Sequence, residues 1–445
     1  MKKKPIELDG ITIPEDNIFR DDDGNPLSID LQNMELTEKS CLLGIEEYSN
    51  SLQWLYLGTN KLKEIDLKPL AFCLLLEGLY LDSNELESID LSPLREMTRL
   101  EQLLVGDNKL DSIDLEPLSG CKEMDMISLS VNKIEDIDLS QFSAFENLNT
   151  LDISRNRLSN VDLRQVETLV KLERLYLHGN RFTDIDLSPL AKLESLEELW
   201  LNRNRLTSVD LSPLSGLSRI RVFDCCHNKL EKIDLSPLAT CDKLEIIYLH
   251  SNSLSQIDIS VIADFPEFSE LWLGGNKLTE LDISPLGECL NLRTLDLGSN
   301  KLGQISLNKL SKVPGLRKLY LQRNGIWEID LGAIDCSSIN ELWLGGNNLH
   351  EIDLSPLSTA EELRVLDLSR NEFEKLNLAP LKHCKKVIRL SVDGNALKHL
   401  DLSVLEGMNN MQVLNISRNK LDDETISIAR NFAEKHPDCS VRGIE

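Results

Sequence analysis

Cys226, His227 and His250 are the residues of this chain whose types best suit metal chemistry. A thiolate and two imidazoles are zinc ligands. Residues 226 and 250 stand 24 apart, a spacing that recurs along the chain. If that spacing is a structural period, the two occupy equivalent neighbouring places within ~5 Å, with His227 beside them. The plainer reading is that three polar residues share a busy surface. Other chemistry is not signalled: the chain has no phosphate loop, no Gly-x-Ser-x-Gly elbow and no His-Glu-x-x-His helix. Seven histidines are scattered, and carboxylate pairs mean little in so acidic a sequence. No enzyme and no cofactor are expected.

The element that must position these residues is a repeat. Asn recurs at 60, 84, 108, 132, 156, 180, 204, 228, 252, 276, 300, 324, 347, 371, 395 and 419. The step is 24 residues, except for 23 between Asn324 and Asn347. Each unit reads L-x-x-L-x-L-x-x-N-x-L-x-x-I-D-L-S-P-L-x-x-C/L-x-x, with Asn at position nine. A fixed period of this kind describes one solenoid rather than several globular domains.

The motif resembles the leucine-rich repeat family over Leu52 to about Leu421. That resemblance implies an α/β solenoid, a horseshoe of about 16 repeats with a parallel sheet on its concave face. It says little about function, because family members bind unlike partners. The residues lead the same way. Alternating Leu at positions four and six, such as Leu55 and Leu57, predicts a short strand with one buried face. The Asn amide is expected to satisfy backbone groups within its own turn and toward the next repeat. Ile-Asp-Leu predicts a short second strand on the convex side, and Ser-Pro a Ser-capped turn of 3₁₀ helix. Stacked Asp residues there would repel, unless backbone N–H donors or a row of cations such as calcium offset them. Residues 1–51 read as an N-terminal cap with a degenerate repeat, 52–421 as the solenoid and 422–445 as a helix-strand cap.

Five of the ten cysteines (Cys73, Cys121, Cys241, Cys289 and Cys384) fall at position 22, where other repeats carry Leu, Phe or Met. A site shared with such residues is buried and apolar, which suits a reduced thiol. With no cysteine-flanked caps, and with Met1-Lys2-Lys3-Lys4 lacking an apolar signal core, a cytoplasmic setting is expected.

Position five points out of the sheet between the two strand leucines. It reads Asp152, Tyr176, Trp200; Asp224, Tyr248, Trp272; Asp296, Tyr320, Trp343; then Asp367. Position three adds Glu198, Glu270 and Glu341 beside the tryptophans. None of the ten phenylalanines stands at position five. Tyr and Trp join apolar area to a hydrogen-bonding tip, a combination favoured at interfaces. Duplication of a three-repeat block, or shielding of the sheet, would give the same pattern without binding.

Lys plus Arg number 48 and Asp plus Glu 74, so the net charge of −26 would repel a phosphate backbone. No apolar run reaches the ~20 residues of a membrane helix. Neither nucleic acid nor membrane is an expected partner. The expected function is a non-enzymatic scaffold that grips a protein or peptide, basic or repetitive in character. Tyr176, Trp200, Tyr248, Trp272, Tyr320 and Trp343 would anchor it, and Asp152, Asp224, Asp296 and Asp367 would select it. The alternatives are a carbohydrate or cell-envelope binder and a metal-dependent sensor through Cys226, His227 and His250.

Overall fold

The computed structural model describes residues 6–37 and 39–444. The chain forms two compact units, Met1–Asp224 and Cys225–Glu445. The first opens with an antiparallel hairpin of Ile6–Leu8 and Ile11–Ile13. Ile18–Arg20 then pairs antiparallel with Pro26–Asp30, through a turn in which Asp21 accepts from the Asn25 backbone N–H. From Pro26–Asp30 a parallel ladder runs by Trp54–Tyr56 and Gly78–Tyr80 to Val222–Asp224. Ile29 pairs with Leu55, so the degenerate repeat supplies the first parallel strand.

The second unit repeats the plan from Ile246–Tyr248 to Ser440–Arg442. The helix Asp423–Lys435, N-capped by Asp422 and packed through Ala429 and Phe432, precedes that last strand. Ile428 lies on the solvent side of that helix. No helix among the described residues is long and apolar enough to cross a membrane.

Most ladder strands are three residues long with the position-four residue at the centre, and that residue is fully buried. Burying one leucine contributes roughly 2 kcal/mol, so the stack is held by its apolar column. After each strand the chain turns through a left-handed residue at position eight, non-glycine in most repeats, such as Ser83 at φ 55° and Arg203 at φ 55°. That conformation costs about 1–2 kcal/mol per residue. The next residue secures it. Asn84 Nδ2 donates to the carbonyls of Leu81 and Leu57, and its Oδ1 accepts from the Leu62 N–H. Each amide thus reaches the preceding repeat rather than the next one.

The opposite side carries 3₁₀ turns, as expected, but among the described residues no second strand accompanies them. The Leu of Ile-Asp-Leu already has helical angles, φ −86° and ψ −1° at Leu91, so the chain turns before a strand can extend. Ser is not the cap either. Asp90 Oδ1 accepts from the Ser92 N–H at 2.9 Å, and Asp186 and Asp234 bond Ser188 and Ser236 in the same way. All thirteen Asp residues of this row, from Asp66 to Asp401, make this bond, and Asn377 makes it to the Ala379 N–H. N–H donors therefore offset the stacked charge. The Ser92 side chain and N–H hold the Asp90 carboxyl below the ordinary range, and the N–H and side chain of Ser188 and of Ser236 do the same for Asp186 and Asp234.

The position-22 thiols are buried, and burial pushes Cys73, Cys121, Cys241 and Cys384 up to about 11 and Cys289 to about 12. Cys336 joins them in the short repeat, where the 3₁₀ segment is split into Leu331–Ala333 and Cys336–Ser338. The missing residue falls there, and across the short step Tyr320 still pairs with Trp343.

Candidate functional site

The strand residue at position five projects from the open face of the sheet, because its neighbour at position four fills the core. Within the first unit Asp152, Tyr176 and Trp200 stand side by side on consecutive strands. Within the second, Tyr248, Trp272, Asp296, Tyr320, Trp343 and Asp367 do the same. The six anchor rings are half-buried, outside the hydrophobic interior.

Their polar tips behave differently from the expectation. Glu198 Oε2 accepts from both the Tyr176 hydroxyl, at 3.1 Å, and Trp200 Nε1, at 2.9 Å. Glu341 Oε2 likewise takes the Tyr320 hydroxyl at 2.9 Å and Trp343 Nε1 at 3.2 Å. Trp272 Nε1 donates to Glu270 at 2.8 Å. Each position-three carboxylate therefore pins rings by their donors, a role Phe could not fill. Burial and the adjacent Glu198 push the Tyr176 phenol up to about 12.

A histidine completes two of these groups. His178 lies edge-on to Tyr176 at 6.3 Å and against Trp200 at 6.0 Å. His250 lies against Tyr248 at 6.1 Å and Trp272 at 6.0 Å. Burial holds His178 below its ordinary value, so its ring is neutral near pH 7.

The aspartates differ among themselves. Asp152, Asp296 and Asp367 are half-buried, and one oxygen of each accepts from the N–H two residues on, in Ser154, Gly298 and Ser369. Burial pushes Asp296 up to about 6. Room for it comes from Gly274, where an added Cβ would meet the Asp296 carboxylate at 2.3 Å. Asp224 departs from the expected outward selector, being only 3% exposed.

The donor atoms of Cys226, His227 and His250 do converge, all lying within 4.8 Å of one another. The position-five triplet missed a second aromatic group near the first strands. Trp54, Tyr56 and Tyr80 stack there, with Tyr56 and Tyr80 at 4.5 Å, beside the exposed ring of Phe19. Its signal was Gly78, over which the Trp54 ring lies.

A chain whose short parallel strands and 3₁₀ turns alternate at a fixed period is a repeat solenoid. Models of the family described as leucine rich repeat match residues 98–158, 123–182 and 266–326, and a two-copy leucine rich repeat model matches 170–216. This is a leucine-rich repeat protein. No curated protein matches it in sequence. Among solved structures, it is similar to a leucine-rich repeat protein of Leptospira interrogans, with TM-score 0.74 and 22% identity over 93% of this chain and 94% of that one. It is also similar to the plant peptide hormone receptor RGFR1 in complex with RGF2, with TM-score 0.73 and 22% identity over 90% and 67%. A third likeness is to the Arabidopsis receptor kinase HAESA in complex with the peptide hormone IDA and the co-receptor SERK1, with TM-score 0.62 and 22% identity over 91% and 76%. At these identities the likeness is one of fold.

Proposed function

We propose that the protein is a non-enzymatic scaffold whose open sheet face holds a protein or peptide. The carrying observation is the pinning of Tyr176 and Trp200 on Glu198, and of Tyr320 and Trp343 on Glu341. Rings fixed by their tips present apolar faces that lose little freedom on binding, the cheapest kind of anchor. Tyr248 and Trp272 extend that row. Asp152, Asp296 and Asp367 each hold one oxygen in the turn bond and through the other, which in Asp152 already takes the Ser128 hydroxyl at 3.5 Å, would select basic or hydrogen-bond-donating groups, while Asp224 lies too deep to do so directly. The likeness to receptors solved with peptide hormones supports a peptide-sized occupant. Sugar binding is disfavoured, because the tips that would meet sugar hydroxyls are already engaged. A reducing, cytoplasmic setting belongs to the same reading, supported by the buried position-22 thiols.

The test is a mass-spectrometric pull-down comparing wild type with the Trp200→Ala/Trp272→Ala/Trp343→Ala variant. Partners that bind wild type should be lost from the variant while its circular dichroism is retained. Survival of every partner would remove the anchors.

A further inference from the structure

We propose that Cys226, His227 and His250 form a zinc site on the sheet face of the second unit. Position seven brings Cys226 and His250 to equivalent places one repeat apart, and His227 follows Cys226 directly. One donor atom from each lies within 4.8 Å of the other two. Zinc held at ~2.0–2.3 Å by one sulfur and two nitrogens needs those atoms to close by about an ångström, which small side-chain rotations supply.

Three features prepare the site. His227 has a left-handed backbone, φ 52°, at the sharp turn after the strand, which places it beside its neighbour's thiol rather than along the strand. The two imidazoles already meet edge to face at 5.0 Å. The His250 ring is also braced by Tyr248 and Trp272, so its orientation is set before any ion arrives. Cys226 is 4% exposed, a soft anionic ligand sheltered from solvent once ionised by the metal. The equivalent pair one block earlier, Ser154 and His178, lacks a thiol. Three protein ligands leave the fourth tetrahedral position open to water or to a donor group of whatever the face binds.

The test uses the reduced, chelator-stripped full-length chain and zinc alone. Stoichiometry is read by elemental analysis, affinity by competition with a chromophoric chelator, and ligand type by cobalt(II) substitution. The variants are Cys226→Ser, His227→Asn, which tolerates the left-handed turn, and His250→Gln, whose side chain the same column accepts at Gln322. One zinc per wild-type chain is expected. Each variant should lose about 100-fold or more in affinity, since even groups behind the ligands cost 10–100-fold. The thiolate-to-cobalt absorption should vanish in Cys226→Ser. Circular dichroism shows which variants fold, and any folded one decides. Failure of wild type to take up stoichiometric zinc, or unchanged affinity in a folded variant, would overturn the site.

Discussion

The Tyr320 ring stacks on that of Trp272 at 5.8 Å, reaching across the strand that lies between them and carries Asp296. Two large side chains thus flank a small acidic one. Burial there pushes the Asp296 carboxyl up from the usual 3.8 to about 6, against the opposing Gly298 N–H bond.

The sign of the resulting pH dependence is fixed. The folded chain holds this proton more tightly than the unfolded chain, so the group favours folding below pH 4. That favour is lost as pH rises through about 6. The difference corresponds to roughly 2–3 kcal/mol. Asp296→Asn keeps an acceptor for the Gly298 N–H and removes the charge. Urea unfolding should find it equal to wild type near pH 4 and more stable near pH 7. Parallel stability curves across that range would refute the account.

On the opposite side the prediction has the reverse sign. Asp186, whose carboxyl the Ser188 N–H holds below the ordinary range, stabilises the fold above pH 4, and this is lost as pH falls through its depressed value. Asp186→Ala should melt earlier than wild type at pH 7. Asp186→Asn should fall between the two, because a neutral amide can make the bond, as Asn377 does to Ala379, but without the charge. Equal melting of the Ala and Asn variants would show that the bond contributes nothing.

Asn204 donates to the carbonyls of Leu177 and Leu201 and accepts from the Phe182 N–H. Asn204→Ala would remove all three bonds and leave the buried Phe182 N–H unsatisfied, while the Leu177 carbonyl keeps the Asn180 amide. An orphaned group costs about 1–3 kcal/mol and a lost hydrogen bond about 1 kcal/mol, so a loss on the order of 3 kcal/mol is expected in denaturant titration. A loss under about 1 kcal/mol would mean that water or another donor replaces the amide.

The position-22 thiols should be inert in the folded protein. Cys121, Cys241 and Cys384 are buried, with values raised to about 11, and only thiolate reacts. Their labelling by a disulfide reagent should track unfolding as denaturant is added. Rapid labelling in native buffer, assigned by peptide mapping, would contradict their burial.

The repeat, its buried leucines and the bond of Asn within its own turn were legible because each recurs at one phase of the period, whereas the direction in which the amide reaches its neighbour was not. Nor were interactions between phases. Nothing in the spacing says that Glu198 would take the tips of Tyr176 and Trp200 together, since that depends on rings leaning across a strand boundary. The cap at Ser92 was misread for a related reason: Ser and Asp both accept N–H bonds, and only the angles at Leu91 show that the turn begins one residue earlier. Trp54 was left out of the anchor row because it stands at position three, and its placement depends on the bare backbone of Gly78 in the next repeat.

The shortened repeat between Asn324 and Asn347 has a wider consequence. Its deletion divides one 3₁₀ segment into Leu331–Ala333 and Cys336–Ser338, yet Lys318–Tyr320 and Glu341–Trp343 remain in step. Length errors are thus absorbed at the rear, and the frontal columns keep their alignment. Such a chain can gain or lose single residues behind its sheet face during evolution, and an engineer could graft loops there without retuning the front.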